Sequence, residues 1–324
     1  MIVEKENQLE PAVSKPHRRL IGISLLPASA TLGNLLCGFL AVFCCLLSLR
    51  AEWSENKYPV QPRVFFTRLE AVFPTHIAAG AYLIFLAMVF DALDGRLARM
   101  TRRTSEFGAQ LDSLSDVVSF GVAPAALFVT MLLRPARNVV AEETDVSSLQ
   151  FRIGLTCALV YVSCAAIRLA RYNAENIKTE ASQRAFSGLP SPGAGAAVAA
   201  LLALHEHLRQ AGFAALGIDW PLVLRWLIAG CAFGVGLLMV SRLDYVHVFN
   251  LYVRRRHPPT HLVWLVVILG LAWKWPELML VLVTEAYVVS GLGLGIGRHT
   301  RKRAAAVDAA GEPGEHALGR GERA

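Results

Sequence analysis

Long apolar runs recur along the chain, and they leave its backbone few options. The first, from about Pro27 to Leu49, contains no charged residue. A run of that length crosses the hydrocarbon core of a bilayer, about 30 Å thick, as a helix. Further runs cover about 75–99, 105–133, 151–169, 192–204, 221–240, 261–273 and 275–294. The expected fold is therefore an all-α, polytopic transmembrane helical bundle of eight spans, six of them forming the core. The last two runs are short and divided by Lys274, and the placement of the polar residues discussed below is the same with six spans as with eight. Composition agrees: 54% of the residues are hydrophobic and only 18% charged, with a mean hydropathy of +0.44. A soluble domain would be more charged and less apolar.

Charge orients the bundle. The net charge is +7. A basic excess can signal nucleic acid, but no DNA- or RNA-binding motif accompanies it, so no nucleic-acid partner is expected. In the eight-span arrangement, 22 of the 32 Lys and Arg fall on the side that holds both termini, the 100–104 turn and the 170–190 and 242–260 loops. That side is expected to be cytoplasmic, in an integral, multi-pass cell-membrane protein. The N-terminus, MIVEKENQLEPAVSKPHRR, is too polar and acidic for a secretory signal, so the first run is read as a retained span. The six cysteines all lie inside apolar runs without CxxC spacing, which suits small buried residues rather than a disulfide framework. Four regions follow. Residues 1–26 are a polar N-terminus, with 16–26 suited to an interfacial helix or a linker. Residues 27–245 are a catalytic transmembrane domain, 246–297 additional helices, and 298–324 a disordered tail.

One polar block breaks the apolar pattern. Residues 91–116 read DALDGRLARMTRRTSEFGAQLDSLSD, with Asp91 and Asp94 spaced i,i+3 and Asp112 and Asp116 spaced i,i+4. Either spacing puts both side chains on one helical face. Only about fifteen apolar residues precede Asp91, so the second span must carry its first acids close to the membrane boundary to reach crossing length. Acids placed there are costly and mark function by default. Four carboxylates from two adjacent helices suit hard divalent cations, Mg²⁺, Mn²⁺ or Ca²⁺, and a pair of such ions can hold a transferring phosphoryl group. The sequence has no GxxxxGK[ST], which argues against ordinary nucleoside triphosphate chemistry. Gly95 and Gly108 allow a bulky ligand to approach the backbone. Arg99, one turn past Gly95, either pairs with a phosphate or anchors the helix at the interface. Asn34, in the first span, needs a partner on another helix or in a ligand. Gly121 and Pro124, in VSFGVAP, are tolerated within a span where neighbouring helices or a water-filled cavity satisfy the freed backbone groups.

The pattern D-x2-D-G-x2-A-R-x8-G-x3-D-x3-D resembles the full signature of the CDP-alcohol phosphatidyltransferase family. TLGNLLCGFLA, SEFGAQLDSLSDVVSFGVAPA, RLARYN, FSGLPSP and LMVSRLDY resemble its bacterial, membrane-integrated, serine-using members, over roughly residues 20–245. The long 50–75 loop, the DYVHV segment and the polar tail depart from that pattern. The resemblance implies a CDP-alcohol phosphotransferase-like fold and transfer of a phosphatidyl group from CDP-diacylglycerol to L-serine, giving phosphatidylserine and CMP. It implies that Asp91, Asp94, Asp112 and Asp116 hold two ions of Mg²⁺ or Mn²⁺, with Asp116 as general base. It also implies that Thr31, Asn34, Gly95, Ala98, Arg99 and Gly108 line the CDP pocket, and that the protein is a homodimer among membrane lipids. For the serine carboxylate, Arg168 and Arg171 are the candidate cations, with interface anchoring as their alternative; Ser119 and Asn173 are candidate polar contacts. Another acceptor alcohol, such as glycerol 3-phosphate or an inositol phosphate, would keep the chemistry. A cation transporter would also place acids in a membrane, but it would spread its polar groups toward the bilayer middle, often in repeated halves.

Overall fold

The computed structural model describes residues 22–55, 73, 75–101, 106–134, 149–176, 188–211, 214–215, 218–241, 243, 270–271 and 273–310. They form α1 (Gly22–Glu55), α2 (His76–Thr101), α3 (Glu106–Asp116), a π-helical segment (Val117–Val122), α4 (Ala123–Leu133), α5 (Leu149–Asn176), α6 (Ser191–Ala211), α7 (Trp220–Val240) and α8 (Pro276–Ala310). A two-residue antiparallel pairing, Ala214–Ala215 with Ile218–Asp219, joins α6 to α7. The all-α bundle expected from the apolar runs is what forms.

Among the described residues, six helical stretches are long and apolar enough to cross a membrane: Ala28–Arg50, His76–Leu97, Phe107–Leu133, Leu149–Ala174, Trp220–Val240 and Pro276–Gly293. The chain is thus a multi-pass membrane protein. The expected fifth span is α6, which falls short on hydropathy because His205, Glu206, His207 and Arg209 crowd its last turns. Its 21 residues still reach about 30 Å at 1.5 Å each. Small residues explain its position: Ala194 through Ala203 are all buried, and α2, α4, α7, α8 and the π-helical segment pack around it. Helices associate in lipid by close packing rather than by a hydrophobic drive, and small side chains permit it.

Contacts at both extremities define two ends. At one end stand the N-termini of α1, α3 and α6 with the C-termini of α2, α5 and α7. There Ser115 Oγ donates to the Thr31 carbonyl at 3.2 Å and the Leu189 N–H to the Leu238 carbonyl at 3.1 Å. At the other end Tyr82 and His207 both meet Glu277, at 3.2 and 3.6 Å. Val240 and Pro276 therefore lie at opposite ends. The expected seventh span between them falls outside the described residues apart from 270, 271 and 273, as do DYVHV, most of the 50–75 loop and residues 1–21. Residues 22–26 form no separate interfacial element; they are the opening turns of α1. Of the tail, residues 298–310 are the last turns of α8, where alanines favour helix; residues 311–324 lie outside the described residues.

The chain enters α6 through Gly188, whose φ of 95° suits a residue without Cβ. An added Cβ would stand 2.5 Å from the Met239 carbonyl oxygen. Residues 188–192 of the FSGLPSP motif thus clip the start of α6 onto the end of α7, and Pro192 sits in the first turn, where its missing N–H costs nothing.

Candidate active site

α2 and α3 each carry two of the acids, and the two pairs converge. One carboxylate oxygen from each of Asp91, Asp112 and Asp116 lies within 4.8 Å of the others. Asp94 joins from the side: it hydrogen-bonds the Thr31 side chain and the Asp112 carboxyl. A contact between two carboxyls needs a proton or a cation between them, since like charges at such range repel strongly away from water. Asp94 and Asp116 are only 6% and 8% exposed. Asp94 Oδ2 and Asp112 Oδ1 are buried without a hydrogen-bond partner among the described residues. Buried acceptors left open in a cluster of like charge are the donor set of a hard, oxygen-liganded cation. The four acids therefore fit a divalent metal by their own chemistry.

The first span supplies the back wall. Asn34, fully buried on α1, donates from Nδ2 to Asp116 Oδ1 at 3.0 Å. The partner that its burial demanded is thus an acid of the site, and its Oδ1 remains without a partner. Thr31 is 5% exposed. Ser115 and Ser119, one turn apart, donate to the backbone carbonyls of Thr31 and Asn34, the second at 2.9 Å. These two bonds lock α1 against the helix that carries Asp112 and Asp116. Gly38 makes the approach possible: a Cβ there would stand 2.7 Å from Ser119 Cα. Ser119, considered above as a serine contact, is 0% exposed and engaged in this lock.

The π-helical segment begins one residue after Asp116. In it the Ala123 N–H bonds back to Val118 O, five residues earlier. Such wide turns inside helices concentrate at functional sites, where they re-aim neighbouring side chains. Pro124 has no N–H to offer the Phe120 carbonyl. Tyr161, fully buried on α5, fills the gap: its hydroxyl donates to Phe120 O at 2.5 Å. Gly121 and Pro124 announced in the sequence that a neighbour must satisfy the backbone here, but not which one.

Two cations stand near the C-terminal end of α5. Arg168 is half-buried, donates to Ser191 Oγ at the start of α6, and interacts electrostatically with Asp116 and Asp91. Arg171 lies one turn further out and is also half-buried. Asn173 is tied to α3, its Oδ1 accepting from Ser113 Oγ at 3.0 Å. Gly108 is half-buried one turn before Asp112. Gly95 follows Asp94 directly, and a Cβ there would meet nothing within 4 Å. Ala98 and Arg99 lie on α2, but their side chains fall outside the described residues.

The sequence reasoning singled out none of Ser113, Ser115 and Tyr161. The serines are ordinary surface residues in a sequence pattern until the α1–α3 crossing is known.

Together these features define an integral-membrane helical bundle with a four-carboxylate site shared by two helices. Residues 24–238 match the CDP-alcohol phosphatidyltransferase family, and the chain belongs to that family. Among similar curated proteins is a CDP-diacylglycerol–serine O-phosphatidyltransferase of Methanocaldococcus jannaschii, 37% identical over 164 residues, half of this chain and 61% of that one. Enzymes of the same name from Mycobacterium tuberculosis and Bacillus subtilis are 27% and 28% identical. Those matches cover 85% of this chain and 80% of the mycobacterial protein, and 69% of this chain and 92% of the bacillar one.

Proposed function

We propose that this protein transfers the phosphatidyl group of CDP-diacylglycerol to L-serine, forming phosphatidylserine and releasing CMP, at the cytoplasmic face of the membrane. The observation that carries the reading is the convergence of Asp91, Asp112 and Asp116 to within 4.8 Å of one another, with Asp94 beside them. The names of the similar proteins supply the substrates, and the positive-inside count supplies the face. Divalent cations held by the four aspartates, two ions of Mg²⁺ or Mn²⁺ in this reading, would offset the charge of the pyrophosphate and of the departing CMP.

The chain's own groups do the rest. Asp116 accepts the proton of the serine hydroxyl as that oxygen bonds to the phosphatidyl phosphorus and the phosphorus–oxygen bond to CMP breaks. Asn34, bonded to Asp116 Oδ1, keeps the carboxylate oriented and leaves its second oxygen for the proton. The open space at Gly95 admits the CDP group against α2, with Thr31, Ala98, Arg99 and Gly108 completing that pocket. Arg168 pairs with the serine carboxylate, while Arg171 and Asn173 close the same side. Lipid tails enter laterally from the bilayer and serine from the aqueous side, so a site at the interface serves both. The family resemblance extends the reading to a homodimer, which native mass measurement in detergent would show.

The deciding experiment incubates the purified protein with CDP-diacylglycerol, Mn²⁺ or Mg²⁺ and labelled serine. Labelled phosphatidylserine and stoichiometric CMP are the expected products, and chelation should stop both. Release of CMP with another alcohol but not with serine would transfer the assignment to that acceptor.

A further inference from the structure

The π-helical segment touches two helices at once. A Cβ built on Gly121 would lie 3.4 Å from Ala165 Cβ of α5, and one built on Gly195 of α6 would lie 3.2 Å from Phe120 Cβ. One helical turn from that crossing toward the acidic end, each element carries a polar side chain: Asp116 on α3, Arg168 on α5 and Ser191 on α6. The three therefore stand at one level on adjoining helices. A turn further out, the bond from Ser113 to Asn173 closes α3 on α5 again. Arg168 is thus set between two contacts that fix α5 beside the acids.

Ser191 is fully buried, and Arg168 Nη1 donates to its hydroxyl. The place of that hydroxyl is fixed from α7. The Gly188 N–H donates to the Leu243 carbonyl at 2.8 Å and the Leu189 N–H to the Leu238 carbonyl at 3.1 Å, and Leu189 is itself fully buried. Pro190 and Pro192, on either side of Ser191, have φ locked by their rings. An arginine side chain keeps much rotamer freedom, whereas its planar fork recognises a carboxylate only where it is held. A buried hydroxyl on an anchored helix start gives that long side chain one fixed point.

We propose that Ser191 is a positioning residue for the acceptor alcohol: its hydroxyl holds the Arg168 guanidinium at the level of Asp116, so that the acceptor's carboxylate is gripped where its own hydroxyl meets the proton acceptor. The GLPSP segment is then a specificity element of the site as well as the entry to α6. The inference rests on Arg168 being the cation for the serine carboxylate.

Ser191→Ala tests it, because only the accepting oxygen is lost and the backbone bonds to α7 remain. The full-length protein in lipid nanodiscs would be assayed for CMP release, varying serine and CDP-diacylglycerol separately. The serine KM should rise about five- to tenfold, as for loss of one hydrogen bond to a charged group, with the CDP-diacylglycerol KM unchanged. In an Arg168→Ala background the same substitution should add nothing, since the two residues act as one unit. Ser191→Cys, similar in size but a weak acceptor, should give a smaller rise in the same direction, and it decides alone if Ser191→Ala does not fold. A wild-type serine KM in the deciding variant overturns the inference. So does an equal rise in both KM values, which would mark a packing role, or a full further rise in the Arg168→Ala background. If Arg168→Ala raises the serine KM while the Ser191 variants do not, this inference alone fails. If Arg168→Ala leaves the serine KM unchanged, the reading of Arg168 fails and takes this inference with it. If the wild-type protein releases no CMP with serine, the proposed reaction fails, and the inference falls with it.

Discussion

At the end of the bundle away from the four aspartates, Glu206 is more deeply buried than any of them, at 1% exposure. Its surroundings are different in kind. Arg134 meets its Oε2 at 2.9 Å and His205 its Oε1 at 3.2 Å. Arg225 in turn donates to the Arg134 carbonyl at 3.0 Å. This end holds α4, α6 and α7 together with charges of opposite sign. At the other end, carboxylates face carboxylates, and two of their oxygens find no partner among the described residues. Burial of charge is common to both ends and so marks neither. The sign of the neighbours separates the two ends: Glu206 is matched by cations, whereas the aspartates face one another.

The largest effect should come from the unmatched end. Asp116→Asn keeps the size of the side chain and its place beside Asn34, but removes both a ligand oxygen and the proton acceptor. Transfer should fall by about 10³-fold or more, at the upper range for loss of a general base, while the melting temperature holds or rises because a repulsive buried charge has gone. CMP release and a thermal melt on the same preparation would check both halves. Near-wild-type turnover would remove Asp116 from the chemistry.

The matched end should respond in the opposite sense. Removing one partner of a buried ion pair leaves the other uncompensated, at a cost of about 3 kcal/mol or more. Glu206→Gln should therefore lower the melting temperature markedly, while kcat per folded molecule and both KM values stay at wild-type levels. A turnover defect without loss of stability would break the comparison, because it would make the distant network part of the reaction.

Much of this division was open to sequence reasoning, for reasons that also mark where it stops. The four aspartates were legible because their spacing repeats a helical face and because acids are rare beside apolar runs. Glu285, an acid in the last span, meets a neighbouring helix, where Cys231 Sγ donates to it at 3.5 Å. Glu206 was not legible. It sits among His205, His207 and Arg209 in what reads as a polar helix end, and only the fold brings Arg134 to it from 72 residues away. Tyr161 was hidden for a similar reason: a tyrosine in an apolar run looks like core until the carbonyl released by Pro124 is placed beside it. Hydropathy also undervalued α6, where small residues buy close packing rather than lipid affinity.

The smallest predicted effect tests whether the unmatched end is shaped for a ligand in its uncharged parts as well. Gly95 lies inside α2, where glycine costs about 0.5–1 kcal/mol relative to alanine. Close packing would justify that cost, as it does at Gly38, where a Cβ would press on the Ser119 backbone. At Gly95 it does not, since nothing of the described protein lies within 4 Å of an added Cβ. By folding criteria alone alanine is the better residue here, and Gly95→Ala should raise stability by up to about 1 kcal/mol. Its penalty should appear only with substrate, as a several-fold higher KM for CDP-diacylglycerol with the serine KM unchanged. Gly38→Ala provides the contrast, losing stability through the α1–α3 crossing. If Gly95→Ala bound the CDP-lipid as well as wild type, the space beside Asp94 would not belong to the nucleotide, and that pocket would have to be sought along α1 instead.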